Sequence, residues 1–337
     1  MKAVSKQSTI YDVAQRAGVS AATVSRVLNE PDRVAAEKRA RVQEAIQALH
    51  FVPKADAVAK ARRAYRKIGV VAPLFTQPSF MERLRGIASV LSAEHYELVI
   101  YSIATGDDLA AYVQMLVNTQ RVDGLILLCV QADAGVLELL RGASFPVCFV
   151  ESEYDGFDSV SVPNVQGGQL AAELLYRKGC RRPGFIGQTI ARSYAVNATE
   201  ERLQGFRFYF ANQGIILQPE HVWVGDFFDS TLDESIERFI TQPLLPDGIF
   251  CSSDMIAARF LRFALRRGIH IPSELRVIGF DNVELADYLG LSSVSQSLEE
   301  SGKMAAKLLL GRISGTSFGT VTMKVPLEVM DRETTGA

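Results

Sequence analysis

The sequence predicts an all-α helix-turn-helix head followed by an α/β body of two parallel-sheet lobes. Three features lead to this reading: two short amphipathic helices joined by a tight turn near the N-terminus, a basic Ala-rich segment after them, and a strand-helix rhythm from residue 68 onward. At 337 residues and 48% apolar composition, the chain is long enough for two or three globular domains and too ordinary for disorder or a disulfide scaffold. The net charge of −2 hides an asymmetry. Residues 1–67 hold 14 basic and 6 acidic side chains, whereas the remainder holds 22 and 32. A basic head on an acidic body suggests that the head meets a polyanion while the body does something else.

The first helix is expected to start at Thr9, with Asp12 completing a capping box and Ile10, Val13, Ala14 and Ala17 on one face. Gly18 ends it. Ser20 caps a second helix, Ala21 to Leu28, whose apolar side is Val24, Val27 and Leu28, with Val19 in the angle between the two. Asn29, Pro31 and Asp32 break the pattern before a third helix from about Ala36 to Leu49, flanked by Lys38, Arg39 and Arg41. The order describes a DNA-reading helix-turn-helix. From Pro53 to Lys67, PKADAVAKARRAYRK has the Ala content of a helix but few apolar side chains to dock it, and reads as a linker.

Short apolar runs then recur at Ile68 to Ala72, Leu98 to Ile103, Gly124 to Cys129, Val147 to Val150, Gly184 to Gly187, Val222 to Gly225, Gly248 to Cys251 and Val277 to Phe280. Amphipathic stretches lie between them, as in parallel sheets covered by helices. A boundary near Pro163 gives two lobes, whose strands would turn their carboxyl ends to a shared cleft. The four cysteines, Cys129, Cys148, Cys180 and Cys251, are widely spaced, with no metal-ligand pattern. Together with the absence of a signal peptide or an 18-residue apolar stretch, they point to a reducing, cytoplasmic setting without a membrane.

The runs STIYDVAQRAGVSAATVSRVLN, RARVQEAIQALHFVP, IGVV, ERLQGF, SSDMIA, VIGFDN and SVSQ, in this order, resemble the LacI/GalR family of bacterial transcription regulators. The similarity extends over nearly the whole chain. It implies residues 1–52 as the DNA-binding domain, 53–67 as the hinge, and 68–337 as a periplasmic-binding-protein-like body for effector binding and dimerisation. Within the body, lobe one spans about 68–163 and 297–320, and lobe two about 164–294 and 321–334. The implied partners are a near-palindromic double-stranded operator at the nucleoid, a second copy of the chain, and a small effector, a sugar or related metabolite. No cofactor or metal is expected. With no leucine heptads after the strand expected at Val321 to Val329, a coiled-coil tetramer is not expected.

Residue by residue, the resemblance puts base selection at Ala21 and Ala22. Neither forms hydrogen bonds, which leaves Arg26 as the candidate for a bidentate guanine contact, with Ser20, Thr23, Ser25 and Asn29 for phosphates or secondary base contacts. Lys54, Val58 and Lys60 belong to the hinge. Lys60 stands where relatives carry a minor-groove leucine, and two readings stay open: Val58 or another residue supplies a weaker wedge, or Lys60 and its basic neighbours bend DNA less and bind it by charge. The second is preferred. A cap is missing at Ala35, where a Ser or Thr is usual.

For the effector, the resemblance implies Arg202 and Asp281 in the cleft, a fork donor facing an acceptor carboxylate. It also implies Phe75, Phe80 and Phe227 as stacking rings, Glu151 and Ser253 at positions where relatives carry Asp and Asn, and Gln296 on a crossover strand in reach of either lobe. Against these stand plainer roles: Asp281 as a helix cap, Arg202 as a surface residue, the aromatics as core. Asp254 is expected to cap the helix Met255 to Arg267. The sequence shows no nucleotide-binding, nucleophile-elbow or zinc-protease motif, and His50, His95, His221 and His270 are scattered, so catalysis is not indicated. The alternative class is a solute-binding protein for sugar transport, which the body alone would match.

Overall fold

A computed structural model describes residues 8–29, 31–49, 51, 65–189, 194–226, 232–316 and 319–336. Contacts divide the chain into a helical head and a body.

In the head, α1 (Ile10–Ala17) starts at Thr9, whose hydroxyl accepts the Asp12 N–H while the Asp12 carboxylate accepts the Thr9 N–H at 2.7 Å. This is the expected capping box. Gly18 closes the helix at φ 64°, a conformation that side-chain-bearing residues avoid. The second helix, α2 (Ala21–Asn29), starts at Ser20, whose Oγ accepts the Thr23 N–H at 3.2 Å. The third, α3 (Ala36–Ala48), begins at Ala35 with no side-chain cap, which forgoes about 1 kcal/mol. Val13, Val24 and Val42, one from each helix, are fully buried together.

The body alternates strands and helices in chain order: β1 (Lys67–Pro73), α4 (Pro78–Ala93), β2 (Glu97–Ile103), α5 (Gly106–Thr119), β3 (Gly124–Leu128), α6 (Ala134–Arg141), β4 (Val147–Val150) and β5 (Asp158–Ser161). Then follow α7 (Asn164–Arg177), β6 (Pro183–Thr189), α8 (Thr199–Asn212), β7 (Val222–Asp226), α9 (Leu232–Ile240), β8 (Gly248–Cys251), α10 (Asp254–Arg266), β9 (Arg276–Asp281), α11 (Glu284–Tyr288) and β10 (Ser292–Ser295). The chain closes with α12 (Leu298–Ile313), β11 (Thr322–Lys324) and β12 (Glu328–Met330).

One sheet runs β2-β1-β3-β4-β5-β11 and the other β7-β6-β8-β9-β10-β12, so both lobes are wound alike. All neighbours are parallel except β10 and β12. In each sheet the strand order reverses beside the first strand of the lobe, the crevice where parallel sheets bind ligands.

The sequence pattern misses β5 and β10 because DSVS and SSVS are polar. Ser159, Ser161, Ser292 and Ser293 are nonetheless buried: Ser159 bonds Thr322 of the neighbouring strand at 2.9 Å, and Ser292 bonds Thr335, in the short turn after β12, at 2.6 Å. The single strand expected over Val321 to Val329 is two strands in different lobes, β11 with β5 and β12 with β10. Pro326 lies between them and, lacking an N–H, cannot continue a ladder. The chain therefore crosses between lobes after β5, after β10 and after β11.

Two glycine-mediated helix pairs carry the residues of the cleft. Gly168 of α7 packs on the Arg202 carbonyl of α8, and Gly302 of α12 packs on the Arg83 carbonyl of α4. A Cβ at either glycine would overlap backbone, which has no flexible end to move aside. The glycines thus fix the height at which both arginines enter the cleft.

Candidate functional site

On α2 of the head, Ser20, Ala22 and Arg26 are exposed, while Thr23 and Ser25 are partly buried. Ala21 is half-buried against the head core, so of the two alanines only Ala22 presents its methyl openly. Ser20 and Thr23 hydroxyls lie 2.9 Å apart at the start of the helix, beside amides suited to an anion. Asn29 ends the helix. Lys54, Val58 and Lys60 lie outside the described residues.

In the body, two adjoining cavities open at the carboxyl ends of the strands. Phe80, Glu151, Arg202, Ser253, Asp281 and Gln296 all line them, brought together from six separate segments. Phe75 does not: it packs on the first-lobe core, the plainer role for an aromatic after a buried strand. Phe227 lies outside the described residues. Asp254 does not cap α10; Ser253 does, its Oγ accepting the Ile256 N–H at 3.4 Å.

The cleft is built around buried charges. Arg202 is 7% exposed and lies with its guanidinium 3.6 Å from the centre of the Phe280 ring. It donates to Asn164 Oδ1 at 3.0 Å and to the Ser252 carbonyl at 2.7 Å, and approaches Asp281 Oδ1 at 3.9 Å. Burial pulls its pKa down. The Asp281 carboxylate accepts from the Gln296 amide, whose Oε1 accepts from Arg83 at 2.8 Å. Arg83 also contacts the Glu151 carboxylate and donates to Ser301 Oγ at 3.3 Å. One chain of polar contacts, Glu151–Arg83–Gln296–Asp281–Arg202, thus crosses from first lobe to second through the residue that follows β10.

Arg83 was not foreseen from the sequence. Its signal is a charge on the buried stripe of α4, beside Phe80, Leu84 and Ile87. At 2% exposure it needs a partner. Burial alone would lower its pKa, but the neighbouring Glu151 carboxylate and, further off, Asp281 leave it raised. Gln188 and Asn197 also line the cavity, and nothing in their sequence setting marks them. Leu74, Cys129, Glu151, Asp281 and Asn282 all take positive φ where strands β1, β3, β4 and β9 end. Such conformations persist where surrounding structure holds side chains for a task.

Burial pushes the Asp281 carboxyl up to about 6 from an ordinary 3.8, against Arg202, Arg83 and Gln296, which pull it down. Its folded value exceeds its unfolded one, so its stabilising contribution is complete below the unfolded value and is lost as pH rises through 6. Between about pH 5 and 7 the wild-type body is expected to lose about 1 kcal/mol from this group, measured by denaturant unfolding. That step should be missing in Asp281→Asn.

Burial likewise raises the thiols of Cys129, Cys148 and Cys251, and moves Cys180 up to about 12, so all four behave as small apolar side chains. Among the described residues no helix is long and apolar enough to cross a membrane.

Comparison with known proteins places the fold. Residues 9–54 match the model of bacterial regulatory proteins of the lacI family, and residues 172–335 the periplasmic binding protein-like domain. The HTH-type transcriptional repressor PurR of Proteus mirabilis is 30% identical over 332 residues, 96% of each chain. The repressor CytR of Escherichia coli K12 is 30% identical across 100% of this chain and 99% of its own. Among solved structures, the transcriptional regulator CelR in complex with cellobiose is 27% identical, covering 97% of this chain and 100% of that one with a TM-score of 0.70. The lac repressor dimer bound to operator and anti-inducer, at 23% identity, shares the fold over 98% of this chain with a TM-score of 0.81. With an N-terminal helix-turn-helix, a two-lobed parallel-sheet body and relatives that align from end to end, the chain belongs to the LacI family of bacterial transcription regulators.

Proposed function

We propose that this protein is an effector-responsive repressor that binds a near-palindromic operator as a homodimer, and that a small ligand held between the lobes changes its affinity for DNA. The observation that carries the reading is the buried polar chain across the cleft: two guanidinium groups and two carboxylates lie where the lobes meet. Charges so placed are expensive unless they are used, and a ligand that bonds both lobes alters how they sit together. The four charges balance, which favours a neutral, hydroxyl-rich ligand such as a sugar or nucleoside over a phosphorylated one. Arg202 donates its fork, Asp281 accepts from hydroxyls, and Phe80 offers an apolar face.

In the head, Arg26 reads a guanine edge and Ala22 a thymine methyl, with Ser20, Thr23, Ser25 and Asn29 near the phosphates. Lys54 and Lys60 then hold the hinge to DNA by charge, with Val58 available as a weak wedge. The same energetics serves induction or corepression, according to which state the ligand prefers. The end-to-end relatives named as repressors and the basic head support this reading over a solute-binding protein.

A thermal-shift screen of the full chain against sugars, sugar phosphates, nucleosides and nucleobases tests the cleft. At a ligand concentration of 100 times Kd, the gain is about 2.7 kcal/mol. The shift is expected with a neutral ligand and should vanish in Asp281→Ala and Arg202→Ala. Retention of the shift in both variants would remove the cleft assignment.

A further inference from the structure

The carboxylate most exposed to a ligand by its position, Asp281, stands on an unusual piece of backbone. Asp281 has φ 110° and Asn282 φ 56°, two successive residues in the left-handed region with no glycine between them. Side-chain-bearing residues rarely take these angles in sequence, so something must hold the turn.

The hold comes from Asp254. It is fully buried at the start of α10, and although its neighbours Ser253 and Met255 line the cavities, it does not. One carboxylate oxygen accepts the Val283 N–H at 2.9 Å, and the other accepts the Ser293 hydroxyl at 2.7 Å. Ser293 Oγ in turn accepts the Asn282 N–H at 3.0 Å. The two amides that follow Asp281 are therefore fixed by one carboxylate, directly and through one serine. Gly279 leaves the space: a Cβ there would overlap Asp254 Oδ1. From outside, Arg332 donates to Asn282 Oδ1 at 2.8 Å.

A buried acid with no cation beside it among these contacts is costly to keep, and burial, then the nearby Asp281, raises its pKa well above the usual range. Its bonds go to the strained turn and to the serine that supports it. We infer that Asp254, acting through Ser293, is a positioning residue for the effector cleft, clamping the 281–283 turn so that the Asp281 carboxylate meets the ligand at a fixed height. The inference rests on the reading of the cleft as the effector site.

The test uses the full chain and the variants Ser293→Ala and Asp254→Asn, with Ser292→Ala as a control. The Ser292 hydroxyl bonds Thr335 and the Arg332 backbone and touches neither amide of the turn, which Arg332 reaches only through its side chain. Hydrogen exchange of the unliganded proteins is followed by mass spectrometry. Binding is then titrated calorimetrically with whichever of D-ribose, cellobiose, cytidine or hypoxanthine stabilises the wild type most. In both turn variants the amides of Asn282 and Val283 are expected to exchange at least about tenfold faster, and Kd to rise at least about tenfold. Ser292→Ala, even where it lowers the unfolding midpoint, should leave both within about twofold.

Unchanged exchange at Asn282 and Val283, or faster exchange with an unchanged Kd, would overturn the inference. If none of the four probes binds the wild type, it is the ligand assignment of the cleft that fails, and the exchange rates alone decide whether Asp254 holds the turn. Should Asp254→Asn not fold, Ser293→Ala, which removes a single hydroxyl, carries the test.

Discussion

Arg83→Met is expected to destabilise the body by about 3–5 kcal/mol, because it leaves the Glu151 carboxylate buried without its cation. Methionine fills much of the volume and keeps the apolar contacts of α4, so the loss reports the charge rather than a cavity. Gln296 Oε1 and Ser301 Oγ also lose a donor. Adding Glu151→Gln removes the stranded charge, and the double variant should recover more than half of the loss. Equilibrium urea unfolding of the two single variants and the double variant measures the coupling directly. A loss below about 1 kcal/mol in Arg83→Met would mean that the pair is solvated and that the polar chain across the lobes does not constrain them.

The second large effect concerns the head. Affinity for duplex DNA is expected to fall on the order of a thousandfold as salt rises from about 50 to 200 mM, the response of a protein that neutralises roughly 6 to 10 phosphates. The net +8 of residues 1–67 is ample for that number, and the acidic body contributes no attraction. Arg26→Ala should weaken binding to a selected operator by about 1–3 kcal/mol while barely changing the salt slope, since a base contact releases no counterion. Fluorescence anisotropy at several salt concentrations separates the two. A flat salt response would return the chain to the solute-binding class that its body alone resembles.

Much of this fold is legible in the sequence, for identifiable reasons. Thr9 with Asp12, and Ser20, mark helix starts because such caps use side chains within three residues of the backbone they bond, and Gly18 marks an end because glycine takes the left-handed backbone at no cost. The strands β1, β3 and β8 announce themselves as unbroken apolar runs because both of their faces are covered. The strands β5 and β10 do not, since their buried serines find partners in Thr322, Asp254 and Thr335, far along the chain. The split of residues 321–329 between two lobes follows from tertiary pairing that a short run around Pro326 does not encode locally.

The cleft divides in the same way. Arg202 and Asp281 sit in motifs that the resemblance carries over, and both line the cavities. Phe75 follows a strand just as Phe80 does, yet only Phe80 reaches the cavity, because it lies a turn further on at the head of α4. Arg83 has only a local signal, a charge on an otherwise apolar helix face, and its partners Glu151 and Gln296 lie far along the chain. The partners of Asp254 are invisible in sequence: Val283 and Ser293 are brought to it only when β9 and β10 pair.

If the cleft controls the head, its occupation changes the affinity for DNA, which a single titration reads. An operator duplex selected from random DNA by the full chain is titrated with and without a saturating amount of the ligand that most stabilises the protein. The predicted result is a change in Kd for the duplex of at least about tenfold, in either direction, that disappears in Asp281→Ala. A ligand that binds the wild type and leaves its affinity for the operator unchanged would contradict the account.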